Sequence, residues 1–191
     1  MCPDLKPWQS EFYIDLALAK QLIEDQFPEL KPAYCEKFGK GWDNLAVLVN
    51  QQFVFRFPKR SLAVELIALE CDFFEKLTSP LPLPTPRPVF FGKPSATYPY
   101  PFAGYSVLAG TTADRAHLTP EARLKLAKPL AQFLKALHSL PIQIPLDKIG
   151  RLDVQDRRPK THANLKRIEQ LDLFENTPVL LEVLNSLKAG Q

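Results

Sequence analysis

The sequence predicts an α+β fold, an antiparallel sheet with one helix packed on it followed by a region built of helices. Three observations predict it. Apolar, strand-forming runs broken by glycines and by Asn50-Gln-Gln52 fill residues 33–57. An apolar pattern of helical period covers residues 61–77. Beyond Gly110 every segment reads as helix. A chain of 191 residues can bury a proper core as one domain or two small lobes. The change of character places a lobe boundary near Gly110, with residues 1–110 before it and 111–191 after it.

The elements follow in order. Phe12, Leu16, Ala19 and Ile23 recur at helical spacing and predict a first helix over 11–27. Residues 33–38 and 43–57 read as strands, with a turn at Asn50-Gln-Gln52 and a glycine-tipped hairpin at Gly39 and Gly41. Apolar residues run without a break from Leu45 to Val49, which suggests burial on both faces. Ser61 is the candidate N-cap of a helix reaching Leu77. The run Pro80-Leu-Pro-Leu-Pro-Thr-Pro-Arg-Pro88 forbids helix and favours an extended path. It suits a stiff connector, and a ligand for a proline-binding domain is the other reading. Pro88–Gly92 and Tyr105–Leu108 read as strands around a loop over 93–104. Thr119-Pro120-Glu121 supplies the cap, N1 proline and early acid of a helix reaching His138. Further helices are expected over about 162–172 and from Thr177-Pro178.

Composition excludes several classes. A formal charge of +3 with no dense Lys/Arg block gives no reason to expect nucleic acid as a partner. No run approaches the ~20 apolar residues of a membrane span, and the first residues lack the apolar core of a signal peptide. Three scattered cysteines and three scattered histidines suggest neither a disulfide framework nor a zinc site, so a reducing cytoplasm is expected.

One residue breaks its pattern. On the 61–77 helix, Leu62, Ala63, Leu66, Ile67, Leu69, Phe73, Phe74 and Leu77 form an apolar face, and Glu70 falls near its middle. An unpaired buried carboxylate costs several kcal/mol. Glu70 therefore reaches solvent at a cleft edge or meets a cation, and Arg56, between Phe55 and Phe57, is the natural partner. Periodicity leaves open whether such a pair is structural or functional. The two hairpin glycines likewise suit a plain turn or a phosphate cradle, and they lack the Gly-Lys-Ser/Thr ending of a Walker loop.

Five ordered stretches carry a resemblance. They are Gly39-Lys-Gly-Trp-Asp-Asn44, Phe53-Val-Phe-Arg-Phe-Pro-Lys59, Leu81-Pro-Leu-Pro-Thr-Pro86, Pro101-Phe-Ala-Gly-Tyr-Ser-Val-Leu-Ala-Gly110 and Phe133-Leu-Lys-Ala-Leu-His-Ser-Leu140. Together they resemble the aminoglycoside phosphotransferase family, which shares the protein-kinase-like fold, and most closely its branch acting on the 2″-hydroxyl. The resemblance implies a nucleotide-binding N-terminal lobe. Gly39, Gly41 and Asn44 would lie in the loop over the triphosphate, and Arg56 would touch the α- and β-phosphates. Glu70 would orient Arg56, and backbone groups at Ser106 and Leu108 would bond the purine of ATP or GTP. Many relatives carry lysine where this chain has Arg56, a bulkier cation of different shape.

The family reaction, as the resemblance implies it, transfers the γ-phosphoryl of a nucleoside triphosphate with Mg²⁺ to a small-molecule hydroxyl. It uses a His-x-Asp-x-x-x-x-Asn loop and a later metal-binding aspartate. Neither occurs here: the residues two beyond His117, His138 and His162 are Thr119, Leu140 and Asn164. The chain stops about where that loop would approach, and Leu180, Leu181, Leu184 and Leu187 end it on an apolar stripe. The expectation is a chain inactive alone, with Mg²⁺ bound and a small-molecule substrate taken only by the complete enzyme. A non-catalytic nucleotide-binding or interaction remnant, and a kinase fragment for another alcohol, are the alternatives.

Overall fold

The computed structural model describes residues 9–143, 145 and 154–186. The elements are α1 (Leu16–Gln26), β1 (Cys35–Lys40), β2 (Asn44–Val49), β3 (Phe53–Pro58), α2 (Ser61–Lys76), β4 (Pro88–Gly92), β5 (Phe102–Ser106), α3 (Pro120–His138), α4 (Val154–Gln170) and α5 (Thr177–Ser186). The α+β expectation holds. All strand pairs are antiparallel, in the order β1-β2-β3-β5-β4. By compactness the chain divides into two units, residues 1–142 and 143–191.

In the first unit the core lies on one face of the sheet. Leu45, Val47 and Val49 of β2, Phe55 and Phe57 of β3 and Phe102 of β5 are buried there against Ala19, Leu22 and Ile23 of α1. The rings interlock: Phe57 stacks on Phe102 with centroids 4.5 Å apart, and Phe27 meets Phe90 edge-on at 5.0 Å. Two glycines make room for this layer. A Cβ on Gly104 would lie 2.6 Å from the Phe55 ring, and one on Gly92 would lie 2.2 Å from the Phe102 ring.

Several boundaries differ from the sequence reading. Asp15 caps α1 by accepting from the Leu18 N–H at 2.9 Å, so residues 11–14 precede the helix and Leu22 takes the buried place expected of Leu16. Residues 45–49 are not buried on both faces: Leu45, Val47 and Val49 are, while Ala46 and Leu48 lie half-buried on the other side. Ser61 is the first helical residue rather than the cap, and Glu11, far away in sequence, accepts from both its N–H and its hydroxyl. The last sheet strand begins at Phe102 rather than Tyr105, because Phe102, Ala103 and Gly104 pair with β4 and Ala103 to Ser106 with β3. Asn50 and Gln51 form the expected turn with φ of 51° and 55°, and the Asn50 amide ties it to Tyr34 and Leu30.

Thr119 caps α3 as read, accepting from the Ala122 N–H. In the second unit α4 begins at Val154, earlier than expected, with Pro159 inside it. α4 and α5 pack on each other and bury Thr177 and Leu184. Leu187, the last residue of the expected stripe, lies outside the described residues.

Candidate functional site

Strand alternation builds the site. Residues two apart share a sheet face, so Arg56 points opposite to Phe55 and Phe57. The register sets Ala46 of β2 and Ala103 of β5 on either side of Arg56. Asn44 and Tyr105 fall on the same face. Small neighbours leave the guanidinium room. α2 covers part of this face, with Ile67 packed against Ala103 and Tyr105.

Across that contact Arg56 Nη1 donates to Glu70 Oε2 at 2.6 Å. Both ends remain partly open, at 33% and 27% exposure. Glu70 thus has both things its place on an apolar face required, a cation and an edge of solvent. The Arg56 guanidinium also lies over the Tyr105 ring, 5.5 Å from its centroid. Tyr105 is buried, and its hydroxyl has no hydrogen-bond partner of good geometry among the described residues. Burial, and next the Glu70 carboxylate, push its phenol well above the ordinary range. Burial likewise raises the thiol of Cys71, beside Glu70, which leaves it a poor nucleophile at neutral pH.

The hairpin between β1 and β2 carries three more of the sequence-flagged residues, Gly39, Gly41 and Asn44. Gly41 N–H donates to the Asn44 carbonyl at 3.1 Å, closing the turn. Neither Gly39 nor Gly41 is there for steric reasons: a Cβ on Gly39 meets nothing within 4 Å, and one on Gly41 meets only the Asn44 carbonyl at 3.9 Å. Asn44 begins β2 with its side-chain oxygen buried and without a hydrogen-bond partner among the described residues. An amide oxygen repels phosphate, so only its NH₂ group suits an anion.

Ser106 ends β5, and Leu108 lies just beyond it, exposed. The Val107 N–H donates to Gln52 at 2.8 Å, so the peptide groups of Ser106 face the opposite edge of the strand.

The structure therefore joins Arg56 to Glu70, sets Asn44 on their face of the sheet, and holds Gly39 and Gly41 in the adjoining hairpin. Ser106 follows Tyr105 on the strand next to Arg56. Sequence reasoning missed Tyr105, whose signal was its even spacing from Ala103 on the strand paired with Arg56. It also missed Lys59 and Arg60, which bond the hairpin turn: Lys59 Nζ donates to the Gly41 carbonyl at 2.6 Å, and Arg60 Nε to Asp43 Oδ1 at 2.6 Å.

Comparison with known proteins bears on the fold and the family. No curated protein gives a significant sequence match. Among solved structures, the GDP complex of wild-type aminoglycoside 2'-phosphotransferase-IIIa is similar, with a TM-score of 0.67 and 23% identity, over 91% of this chain and 59% of the other. The GDP and kanamycin complex of APH(2″)-IIIa gives 0.61 and 26% over 90% and 56%. The streptomycin–ATP ternary complex of APH(2″)-IIa gives 0.54 and 21% over 91% and 56%. The chain thus spans between half and three-fifths of the length of these structures. The sheet-plus-helix architecture is that of their kinase-like fold. The model of the phosphotransferase enzyme family matches residues 35–191, from β1 onward, and the chain belongs to that family.

Proposed function

We propose that residues 1–110 form a nucleotide-binding lobe with its hinge, and that 111–191 begin the lobe that receives the acceptor. The Arg56–Glu70 pair carries this reading. An ion pair a third exposed adds only about 0–1 kcal/mol to stability, so fold stability is a weak reason for this one. Held by Glu70, the guanidinium presents its other N–H donors to the open face, where they suit the α- and β-phosphates of ATP or GTP. Gly39 and Gly41, which the fold does not require, let backbone approach a triphosphate without a Cβ in the way. Asn44 lies at the base of that loop. Ser106 and Leu108 offer peptide groups to a purine edge.

In the complete enzyme the γ-phosphoryl would pass to the hydroxyl of a small molecule, an aminoglycoside or a similar alcohol. The GDP, ATP, kanamycin and streptomycin complexes of the structural neighbours support this reading. Among the described residues no group of three or more His, Cys, Asp or Glu converges on one point, and Mg²⁺ belongs in this reading to the complete enzyme. Among them, too, no helix is long and apolar enough to cross a membrane, and a cytoplasmic setting suits a nucleotide-dependent enzyme. The 191-residue polypeptide, lacking the His-x-Asp-x-x-x-x-Asn motif, should bind nucleotide without transferring phosphoryl.

Calorimetry with ATP and GTP tests this. The protein should bind at least one of them, and Arg56→Ala should weaken binding by roughly tenfold or more, the worth of a charge-assisted hydrogen bond. Folded protein that gives no heat with either nucleotide would refute the reading. Phosphorylated product from the purified chain, abolished by Arg56→Ala, would refute its inactivity.

A further inference from the structure

The corner between β3 and α2 does more than turn the chain. Lys59 there is only 6% exposed, and a buried ammonium is tolerated only where acceptors meet it. Its Nζ donates to the Gly41 carbonyl at 2.6 Å, and its own N–H donates to the Asp43 carbonyl at 2.8 Å. Arg60, the next residue, forms an ion pair with the Asp43 carboxylate. The Lys59 carbonyl accepts from the N–H groups of Glu11 and Phe12 at 2.8 and 2.9 Å. Glu11 in turn accepts from Ser61, the first residue of α2. One short corner thus grips the tip of the glycine hairpin on one side and the start of the Glu70-bearing helix on the other.

We propose that Lys59 and Arg60 are positioning residues for the triphosphate: they pin the Gly41–Asp43 turn to the N-terminal end of α2, so that hairpin and helix are set as one piece. The proposal rests on the nucleotide-binding reading above and adds to it the device that holds the loop. The physical reason is preorganisation. A turn with a sterically unconstrained Gly41 and an exposed Trp42 has many conformations open to it. Fixing one of them before the ligand arrives removes that ordering cost from binding. The anchor also sets direction. In a trans peptide the carbonyl and the following N–H point opposite ways, so a Gly41 carbonyl turned to Lys59 turns the Trp42 N–H to the other side of the loop.

Trp42 reports on the loop directly, because Trp8 is the only other tryptophan in the sequence. In a Trp8→Phe background, acrylamide quenching and fluorescence anisotropy of Trp42 would be measured for Lys59→Met, Asp43→Arg, Arg60→Asp and the Asp43→Arg/Arg60→Asp exchange. Each would also be titrated with ATP, GTP, adenosine and guanosine, after circular dichroism has shown it folded. The single variants should loosen Trp42 and weaken triphosphate binding about fivefold or more. Nucleosides, which carry no phosphate, should bind as before. The exchange should restore both readouts toward wild type, because it rebuilds the ion pair in reverse, and this arm stands even where Lys59→Met does not fold. Unchanged Trp42 mobility in the single variants overturns the clamp, whatever nucleotide does. Loosened Trp42 with unchanged triphosphate affinity overturns its positioning role. A wild-type protein that binds no nucleotide overturns the functional reading instead, while the Trp42 signal still decides whether the clamp exists.

Discussion

The two faces of β3 divide the work of this molecule. One carries Phe55 and Phe57, wholly buried in an aromatic layer with Phe102 and Tyr98. The other carries Arg56, part-exposed, ringed by alanines and held by Glu70. Successive residues of a strand point to opposite sides, so six residues provide much of the core on one face and a partly open, charged surface on the other. The difference teaches that stability and binding should respond to different substitutions, even at adjacent positions.

The sharpest test sets neighbours against each other. Phe55→Ala should cost about 3–5 kcal/mol, the transfer energy plus the cavity left in a close-packed layer. Arg56→Ala should cost only about 0–1 kcal/mol, because its pair is already partly solvated. Urea denaturation measures both, and equal losses would break the comparison. The glycines offer a second contrast. Gly104→Ala drives a methyl into the Phe55 ring and should cost about 1–3 kcal/mol as overpacking. Gly39→Ala meets open space and should shift stability by no more than about 0.5 kcal/mol. A Gly39→Ala loss as large as that of Gly104→Ala would make the hairpin glycine structural.

The smallest effect concerns acid. The Ser61 N–H, the largest influence on it, holds the Glu11 carboxyl below its usual pKa of 4.5. A group depressed in the folded state adds stability that is present above the unfolded pKa and fades as pH falls through the folded one. Urea midpoints between about pH 6 and pH 3 should therefore fall less steeply in Glu11→Gln than in wild type. Parallel curves would mean that Glu11 does not hold the start of α2 through its charge.

Much of the site could be read because it announces itself as a violation. Glu70 on an apolar face and Arg56 between phenylalanines each carry a charge where the local pattern wants none, and burial energetics call for a partner or a path to solvent for such a charge. Caps and turns were legible where the side chain acts nearby, as with Thr119 before α3 and Asn50 in its turn. Ser61 misled for the converse reason. Its look as a cap was local, while the acceptor that serves the start of α2 is Glu11, fifty residues earlier.

The sequence by itself determined the succession of strands and helices, the first hairpin, and the one acid that needed a cation or a path to solvent, because period and burial cost are properties of neighbours along the chain. Only the tertiary structure decided that Tyr105 lies under Arg56, that Phe102 to Gly104 belong to a strand, and that Lys59 and Arg60 reach back to the hairpin. Those contacts depend on register between strands and on the path of a corner, and neither leaves a mark in local composition.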